Sequence, residues 1–525
     1  MKLFKVMIAV LLVTVLLAAL FTGCAKTEQG GQPAAEPGKT ESTTPSKPEE
    51  SETAATEEPV DPEDVEDIIF WIPDMNNAGG VDHGERIEKL VNEISEPLGI
   101  HVTLVYLSGG DYRTKSQLSI SGGEQIDLMC YWIGNNVLSM YTANMAMELD
   151  DLLKNNAPET FELMKDYLPA TTFGGKIYSV PVLRNYVTNG YLCFNQDMLD
   201  QYGLSDKARN LTSWSEYEEI LREFAEKAAG SGVWASITTE LVSNAFVMHG
   251  DKFSDIEVVD VLGDRLGVVY CSPDGKVSLN QAKEEYIAAC EKSREWYDNG
   301  WVFPDSLYNT ETLASEWMSN GVAASELCTS EEGIEVTKTS WYRAPAICVK
   351  VYDGVISTST MTSWGMGIPV SAQEPETAAK FLNLLYTNAD LMKVLVNGEE
   401  GVDYDLIDGQ AQPKEKQYNM GNYVLGNNLL ALPLYGNGAD FYDRVGTANN
   451  NAERSKFMGF VLDTGDYQTL VGSITAVNDQ YTTSMRRGGY TREMYDEYMG
   501  KLETAGVQEY LDVVQTQLDA WRASR

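Results

Sequence analysis

Histidine is nearly absent: three residues, at positions 83, 101 and 249, serve a chain of 525. They stand far apart and no two share a helical spacing, whereas a zinc centre needs three or four clustered ligands. Basic residues are scarce as well. Lys and Arg total 39 against 78 Asp and Glu, a formal net charge of −39. Nucleic acid and anionic lipid headgroups are recognised through clustered positive charge, so this balance argues against both as partners. It suits a neutral or cationic ligand. Cysteine is sparse, seven residues with no C-x-x-C pair. No G-x-S-x-G, Walker A or Rossmann glycine pattern is present, which removes the commonest signs of hydrolase, phosphate and dinucleotide chemistry. The acidic run Asp403-x-Asp405-x-x-Asp408-Gly409 has the wrong spacing for a calcium loop and lacks its closing Glu, so it reads as a turn. No metal and no cofactor is expected. Past the first residues, no apolar run reaches the roughly 20 residues that a membrane helix needs.

What is present begins at the N-terminus. Lys2 and Lys5 precede an apolar run from Val6 to Leu20, which ends at Phe21-Thr22-Gly23-Cys24. A positive start, a short apolar core and small residues before a cleavage point define a secretory signal. Cys after Thr22-Gly23 resembles a bacterial lipobox, which implies residues 1–23 as a signal peptide and Cys24 as a lipidated N-terminus. Residues 24–66 are Thr, Ser, Pro, Glu, Gly and Ala with almost no large apolar side chain. Such a segment buries too little surface to offset its ordering entropy, so it is expected to be a disordered tether. The anchor is the only membrane contact expected, on the extracytoplasmic face of the cell membrane. The six remaining cysteines, Cys130, Cys193, Cys271, Cys290, Cys328 and Cys348, are expected as buried thiols, since large cores need no staples.

The rest of the chain exceeds what one hydrophobic core serves, so two lobes are expected. Periodicity predicts a strand at Ile68–Ile72, a helix over Gly84–Leu98, a strand at His101–Leu107, a helix over Asp111–Ser121 and a buried strand at Ile126–Trp132. This β-α-β-α-β order predicts a parallel, doubly wound sheet with its ligand beyond the carboxyl strand ends. Further along, Tyr186–Phe194 reads as extended. Ser213-Trp214-Ser215-Glu216 reads as a capping box. Met361–Pro369 reads as a strand, Pro375–Val396 as one helix, and the last 45 residues as two helices.

Several of these pieces are familiar in this order. Glu124-Gln125-Ile126-Asp127-Leu128, Leu149-Asp150-Asp151-Leu152 and Gly175-Lys176-Ile177-Tyr178-Ser179-Val180-Pro181 resemble three successive landmarks of family 1 extracellular solute-binding proteins. Toward the C-terminus, three further pieces resemble the LipO-like lipoproteins of that family: Asn397–Tyr404 their G-x-E-G-x-x-Y step, Lys456–Thr464 their L-G-F-x-F-D-T step, and Val513–Trp521 their final helix. The resemblance implies an α/β, two-lobed fold of the periplasmic-binding-protein type II class with hinge-connected lobes. Lobe 1 would hold 67–188 and 358–421, and lobe 2 would hold 189–357 and 422–525, with crossings near Val187–Gly190 and Thr358–Trp364. The expected function is that of a monomer that captures a carbohydrate, an oligosaccharide, and passes it to the permease subunits of an ABC transporter.

A sugar offers apolar C–H faces to aromatic rings and hydroxyls to planar polar groups. That mixture, at strand ends and crossings, selects Trp71, Asp74, Tyr131, Trp132, Arg184, Tyr186 and Trp364, with Trp234 from lobe 2. Each aromatic has core packing as its competing role, and for Arg184 that role is an internal salt bridge. Two other functions use similar residues. A surface glycan-active enzyme needs a carboxylate pair in its cleft. A peptide or amino-acid importer receptor needs a charge anchor, for which Arg184 would serve.

Overall fold

The computed structural model describes residues 65–75, 80, 83–132, 135–237, 241, 243, 245–308, 314–415, 417–418 and 420–525. The signal, Cys24 and nearly all of the tether lie outside the described residues.

In chain order the elements that position the site are β1 (Glu66–Asp74), α1 (Gly84–Ser95), β2 (Ile100–Ser108), α2 (Gly109–Ser121), β3 (Leu128–Tyr131), α3 (Val137–Thr142) and β4 (Val180–Pro181). Then come β5 (Asn189–Asn195), α4 (Trp214–Lys227), β6 (Ser325–Ser330), α5 (Ile334–Tyr342), β7 (Ala346–Tyr352), α6 (Thr358–Thr362) and β8 (Gly365–Gly367). α7 (Pro375–Thr387), α8 (Ala389–Asn397), α9 (Phe441–Asn451) and α10 (Val507–Ala523) complete the set.

β1 carries fully buried Ile68, Phe70 and Ile72. α1 turns Ile87 and Val91, one helical turn apart, onto the same core. β1 lies between β2 and β3 and runs parallel to both, with Trp71 opposite Val105 and Met129. The expected β-α-β-α-β unit is therefore present, but the complete sheet is mixed. Its order is β2-β1-β3-β8-β4, and β8 is antiparallel to β3 and β4. β8 arrives from the other half of the molecule through α6. No crossover helix on this sheet sets its direction.

The second sheet is β6-β5-β7, antiparallel throughout. Alternate residues of β5 serve opposite faces, as strand geometry requires. Leu192 and Phe194 enter one apolar cluster, Tyr191 and Cys193 another. The molecule thus has two main cores. One draws on residues between 68 and 187 and between 356 and 431, the other on residues between 192 and 351 and between 457 and 518. The first core extends past Gly421, taking in Val424, Leu425 and Ala431.

Three segments run between the cores. At the first two, glycine permits close approach. A Cβ on Gly190 would overlap the Tyr352 ring, and one on Gly354 would overlap the Thr188 carbonyl. The Gly354 N–H donates to Asn189 Oδ1 at 2.8 Å. The third segment lies alongside: the Ile356 N–H donates to the Glu453 carbonyl at 2.9 Å, and the Ser455 N–H to the Ile356 carbonyl at 2.8 Å. The Thr358–Trp364 stretch opens with α6, and Met361 is sunk in the first core. Pro375–Val396 is two helices, since Asn388 is extended and its side chain caps α8 by accepting from the Leu391 N–H at 2.9 Å. At α4, Ser213 accepts from the Glu216 N–H at 3.2 Å, while Glu216 reaches back to the Thr212 N–H at 2.7 Å.

The sequence landmarks act as polar pins. Asp127, fully buried, accepts from the Ile69 N–H (2.9 Å), the Gln125 amide (2.9 Å) and the Gln373 and Glu374 N–H groups (2.8 and 3.1 Å). One carboxylate so joins β1 to the approach of α7. Asp150 accepts from the Ile177 N–H at 3.0 Å while the Leu149 N–H donates to the Ile177 carbonyl at 2.8 Å, which locks two landmarks together. Asp403 pairs with Arg86 at 2.8 Å and accepts from the Glu399 and Tyr418 N–H groups, both at 2.8 Å.

Candidate functional site

A cleft of about 770 Å³ lies between the two cores, within the roughly 300–1,000 Å³ range of ligand pockets. α3 and α6 wall it on the side of the first core, and the loops 260–266 and 460–465 on the side of the second. The first wall is rich in small polar groups: Asn136, Ser139, Thr142, Ser359, Thr362 and Ser363. Asn136 is also the cap of α3, accepting from the Ser139 N–H at 3.0 Å.

The second wall is held rigidly. In the 260–266 loop, Leu262 has φ 55°, an unusual conformation for a branched residue. It is imposed from two sides. The Leu262 N–H donates to Asp260 at 2.7 Å, and Asp264 accepts from the Leu266, Val268 and Val269 N–H groups and the Tyr510 hydroxyl at 2.8–2.9 Å. Ser455 also donates to Asp260. Burial raises the Asp260 carboxyl above the usual carboxylate range, and those two hydrogen bonds offset part of the rise. The 460–465 loop is clasped by α10. The Asp463 N–H donates to the Gln517 amide oxygen at 2.9 Å, and the Gln517 NH₂ donates to the Asp463 carbonyl at 2.7 Å. Trp521 packs edge-on to Phe460 at 5.9 Å. The two C-terminal landmarks are thus one device that shapes the cleft.

An aromatic group adjoins the first wall. The Trp132 and Trp364 rings stack with centroids 5.1 Å apart and planes 15° from parallel, and Tyr423 meets Trp364 edge-on at 5.5 Å. Trp364 directly follows Ser363 of the wall, and Trp132 stands four residues before Asn136. A Cβ on Gly109, the first residue of α2, would press on the Trp132 ring at 3.2 Å, so glycine there makes room for it. Arg184 is tied to the same place. It donates to Ser363 Oγ at 2.9 Å and to the Thr360 carbonyl at 3.4 Å, and it pairs at 2.9 Å with Glu331, just beyond β6.

Of the residues selected from sequence, Trp132, Trp364 and Arg184 come together here. Asp74 is half-buried at the carboxyl end of β1. Trp71, Tyr131, Tyr186 and Trp364 itself are buried in the first core, and Trp132 packs against it. The Tyr131 hydroxyl donates to the Ile368 carbonyl at 3.4 Å and the Tyr186 hydroxyl to the Val182 carbonyl at 2.8 Å. Trp234 packs edge-on against Phe303 at 5.0 Å in the small cluster behind the second sheet. Sequence reasoning did not single out α3 or the loop 260–266. Asp260, Gly263 and Asp264 signal a turn there, and nothing local says that the turn faces a cleft. Among the described residues, no group of three or more His, Cys, Asp or Glu is arranged to hold a metal. Two acids of the turn at 403–408 are engaged otherwise, Asp403 by Arg86 and Asp405 by Lys414, both at 2.8 Å.

A family model described as bacterial extracellular solute-binding protein matches residues 89–397, and a domain of unknown function (DUF3502) matches 456–523. A carbohydrate ABC transporter substrate-binding protein of Streptococcus pneumoniae serotype 4 (strain ATCC BAA-334 / TIGR4) is 24% identical over 451 residues, covering 81% of this chain and 85% of its own length. Among solved structures, the N-glycan transport solute binding protein NgtS from Streptococcus pneumoniae aligns with a TM-score of 0.69 at 20% identity, over 86% of this chain and 98% of that one. The S. pneumoniae ABC-transporter substrate binding protein FusA in complex with kestose aligns with a TM-score of 0.57 at 14% identity, over 88% and 100%. These likenesses match the α/β fold with its two lobes over nearly the whole of each solved chain. With the family model spanning more than half of the sequence, this chain belongs to the bacterial extracellular solute-binding proteins.

Proposed function

We propose that this protein captures a carbohydrate in the cleft between its lobes, closes on it and delivers it to the permease subunits of an ABC importer. The observation that carries the reading is the cleft itself. Its walls come from both cores, one wall is lined by hydroxyl and amide groups, and an aromatic stack adjoins it. That is the mixture a sugar needs. The descriptions of the pneumococcal relatives, which name carbohydrate, N-glycan and kestose, support the same ligand class.

In this reading lobe 1 is 67–188 with 358–421 as its sequence-derived extent, prolonged to about residue 451 by the third crossing, and lobe 2 is the remainder of the folded chain. Cys24 carries the lipid that holds the protein, as a monomer, at the outer face of the cell membrane.

The protein binds its ligand without turning it over. The three acids that line the cleft, Asp260, Asp264 and Asp463, each accept from backbone N–H groups, which suits loop construction better than acid–base work. Arg184, the charge anchor that a peptide receptor was expected to use, is already engaged by Glu331 and Ser363. A thermal-shift panel of oligosaccharides, peptides and amino acids tests the proposal. A ligand at about 100 times its Kd stabilises the folded state by roughly 2.7 kcal/mol, so the right sugar raises Tm. Stabilisation by peptides alone defeats the carbohydrate reading, and release of shortened glycan products defeats the non-enzymatic one.

A further inference from the structure

Arg265 is the only basic residue among the described residues lining the cleft. Its guanidinium has no hydrogen-bond or ion-pair partner among the described residues. In a chain with twice as many acids as bases, the nearby acids are the natural partners to claim it. They do not, because Asp260 and Asp264 spend their oxygens on backbone N–H groups of the 262–269 stretch and on the Ser455 and Tyr510 hydroxyls. The same contacts hold the loop in a strained shape, with Leu262 at φ 55°. Arg265 is therefore presented from a rigid base with its fork of donors unspent. It also stands where two cavities meet. A second one, about 480 Å³, shares residues 261 and 264–266 with the cleft and is lined in addition by Arg486, Asn280 and Gln281. Gln281 is 2% accessible and its side-chain oxygen has no partner.

We infer that the ligand carries an anionic group, a carboxylate or sulfate on a sugar ring, which Arg265 binds at the junction of the cleft and the second cavity. This rests on the carbohydrate reading and narrows it to acidic oligosaccharides. A guanidinium matches both groups in a planar, two-pronged way that a neutral sugar hydroxyl cannot fill. The overall acidity of the protein does not forbid such a ligand. Beyond about 8 Å at physiological salt the repulsion is screened, and contact geometry decides. Two cavities joined at one cationic residue also suit a ligand longer than a single ring, with its charge near the middle of the bound stretch.

The test is calorimetry with oligosaccharides of matched backbone and length in three forms: neutral, uronate-bearing and sulfated. Each is titrated into the intact protein, Arg265→Ala and Arg265→Lys. The expected result is that at least one acidic form binds the parent more tightly than its neutral counterpart. Arg265→Ala then weakens that form by about 10- to 100-fold, the range of a lost hydrogen bond to a charged group. It weakens the neutral form by less than it weakens the acidic one, and the ligand-free Tm reports that the variant is folded. Arg265→Lys restores part of the loss, more for sulfate than for carboxylate if a point charge suffices. The uronate and sulfate arms separate the two sources of charge. If neutral sugars bind and acidic ones bind no better, or if Arg265→Ala is without effect, the inference is wrong and the carbohydrate reading stands. If no saccharide of any form binds, both fall.

Discussion

Trp132 and Trp364 lie face to face, 5.1 Å between ring centroids, one at the end of β3 and the other just before β8. Each ring thus has one face spent on its neighbour, and Tyr423 closes an edge. Ligand contact must use an outer face, and loss of either ring disturbs both. Replacing either Trp by Ala should weaken carbohydrate binding by about 2–4 kcal/mol, and the double variant should lose less than the sum because the rings are in contact. Calorimetry on the folded variants reads this directly. Affinities equal to that of the parent would make the pair a packing feature only.

Arg184 and Glu331 tie the first core to the end of β6 at 2.9 Å. Burial raises the Glu331 carboxyl, and Arg184 offsets part of that rise. A raised acid loses its charge early as pH falls, and the pair then loses its ionic part. If the pair restrains lobe motion, Glu331→Gln should change the radius of gyration of the ligand-free protein. Small-angle scattering on parent and variant, with and without a stabilising sugar, should show shrinkage on binding in both. An unchanged radius at saturating ligand would indicate a rigid, preformed site.

Asp403 is buried, with 1% of its side chain accessible, and Arg86 is 24% accessible. Burial pushes the Asp403 carboxyl up, but hydrogen bonds from Arg86, Glu399 and Tyr418 outweigh this and leave it below the usual range. An acid depressed in the folded state stabilises above its unfolded value, about 3.9. That contribution drains away as pH falls through the lower folded value. Asp403→Asn should cost about 2–3 kcal/mol near neutral pH, less than a fully buried pair because Arg86 is partly solvated. It should also flatten the stability profile below pH of about 4. Urea unfolding across pH checks both, and an unchanged acid limb would assign that limb to other carboxylates.

Cys24→Ala should move the protein from the membrane fraction to the medium if the lipobox-like Thr22-Gly23-Cys24 directs lipidation. Fractionation with an antibody to the folded domain measures it. Membrane retention equal to the parent would require a different anchor.

Much of the fold was legible because periodicity is a local signal. The buried faces of β1 and α1 and the parallel strands around Trp71 follow from where apolar residues recur. The landmarks were legible as a family pattern, but their work was not. Asp127 looks like any Asp before a strand, and only the fold brings the N–H groups of Gln373 and Glu374 to it across 246 and 247 residues. The candidate site was legible only as residue types at strand ends and crossings. Trp132, Trp364 and Arg184 were chosen for standing at strand ends and crossings. By the same rule Tyr131 and Tyr186 were chosen, and both are placed inside the first core with their hydroxyls satisfied.

The expectation of two cores, the first α/β wind and the family could be read from the chain alone, because composition, periodicity and motif order are properties of the chain. Tertiary structure alone decided the mixed sheet, the place of the crossings, the cleft wall at 260–266 and the unspent charge of Arg265. Each of these depends on which distant groups meet. A carboxylate's partners, a ring's neighbour and a guanidinium's freedom are set by packing between segments hundreds of residues apart, and no local pattern encodes them.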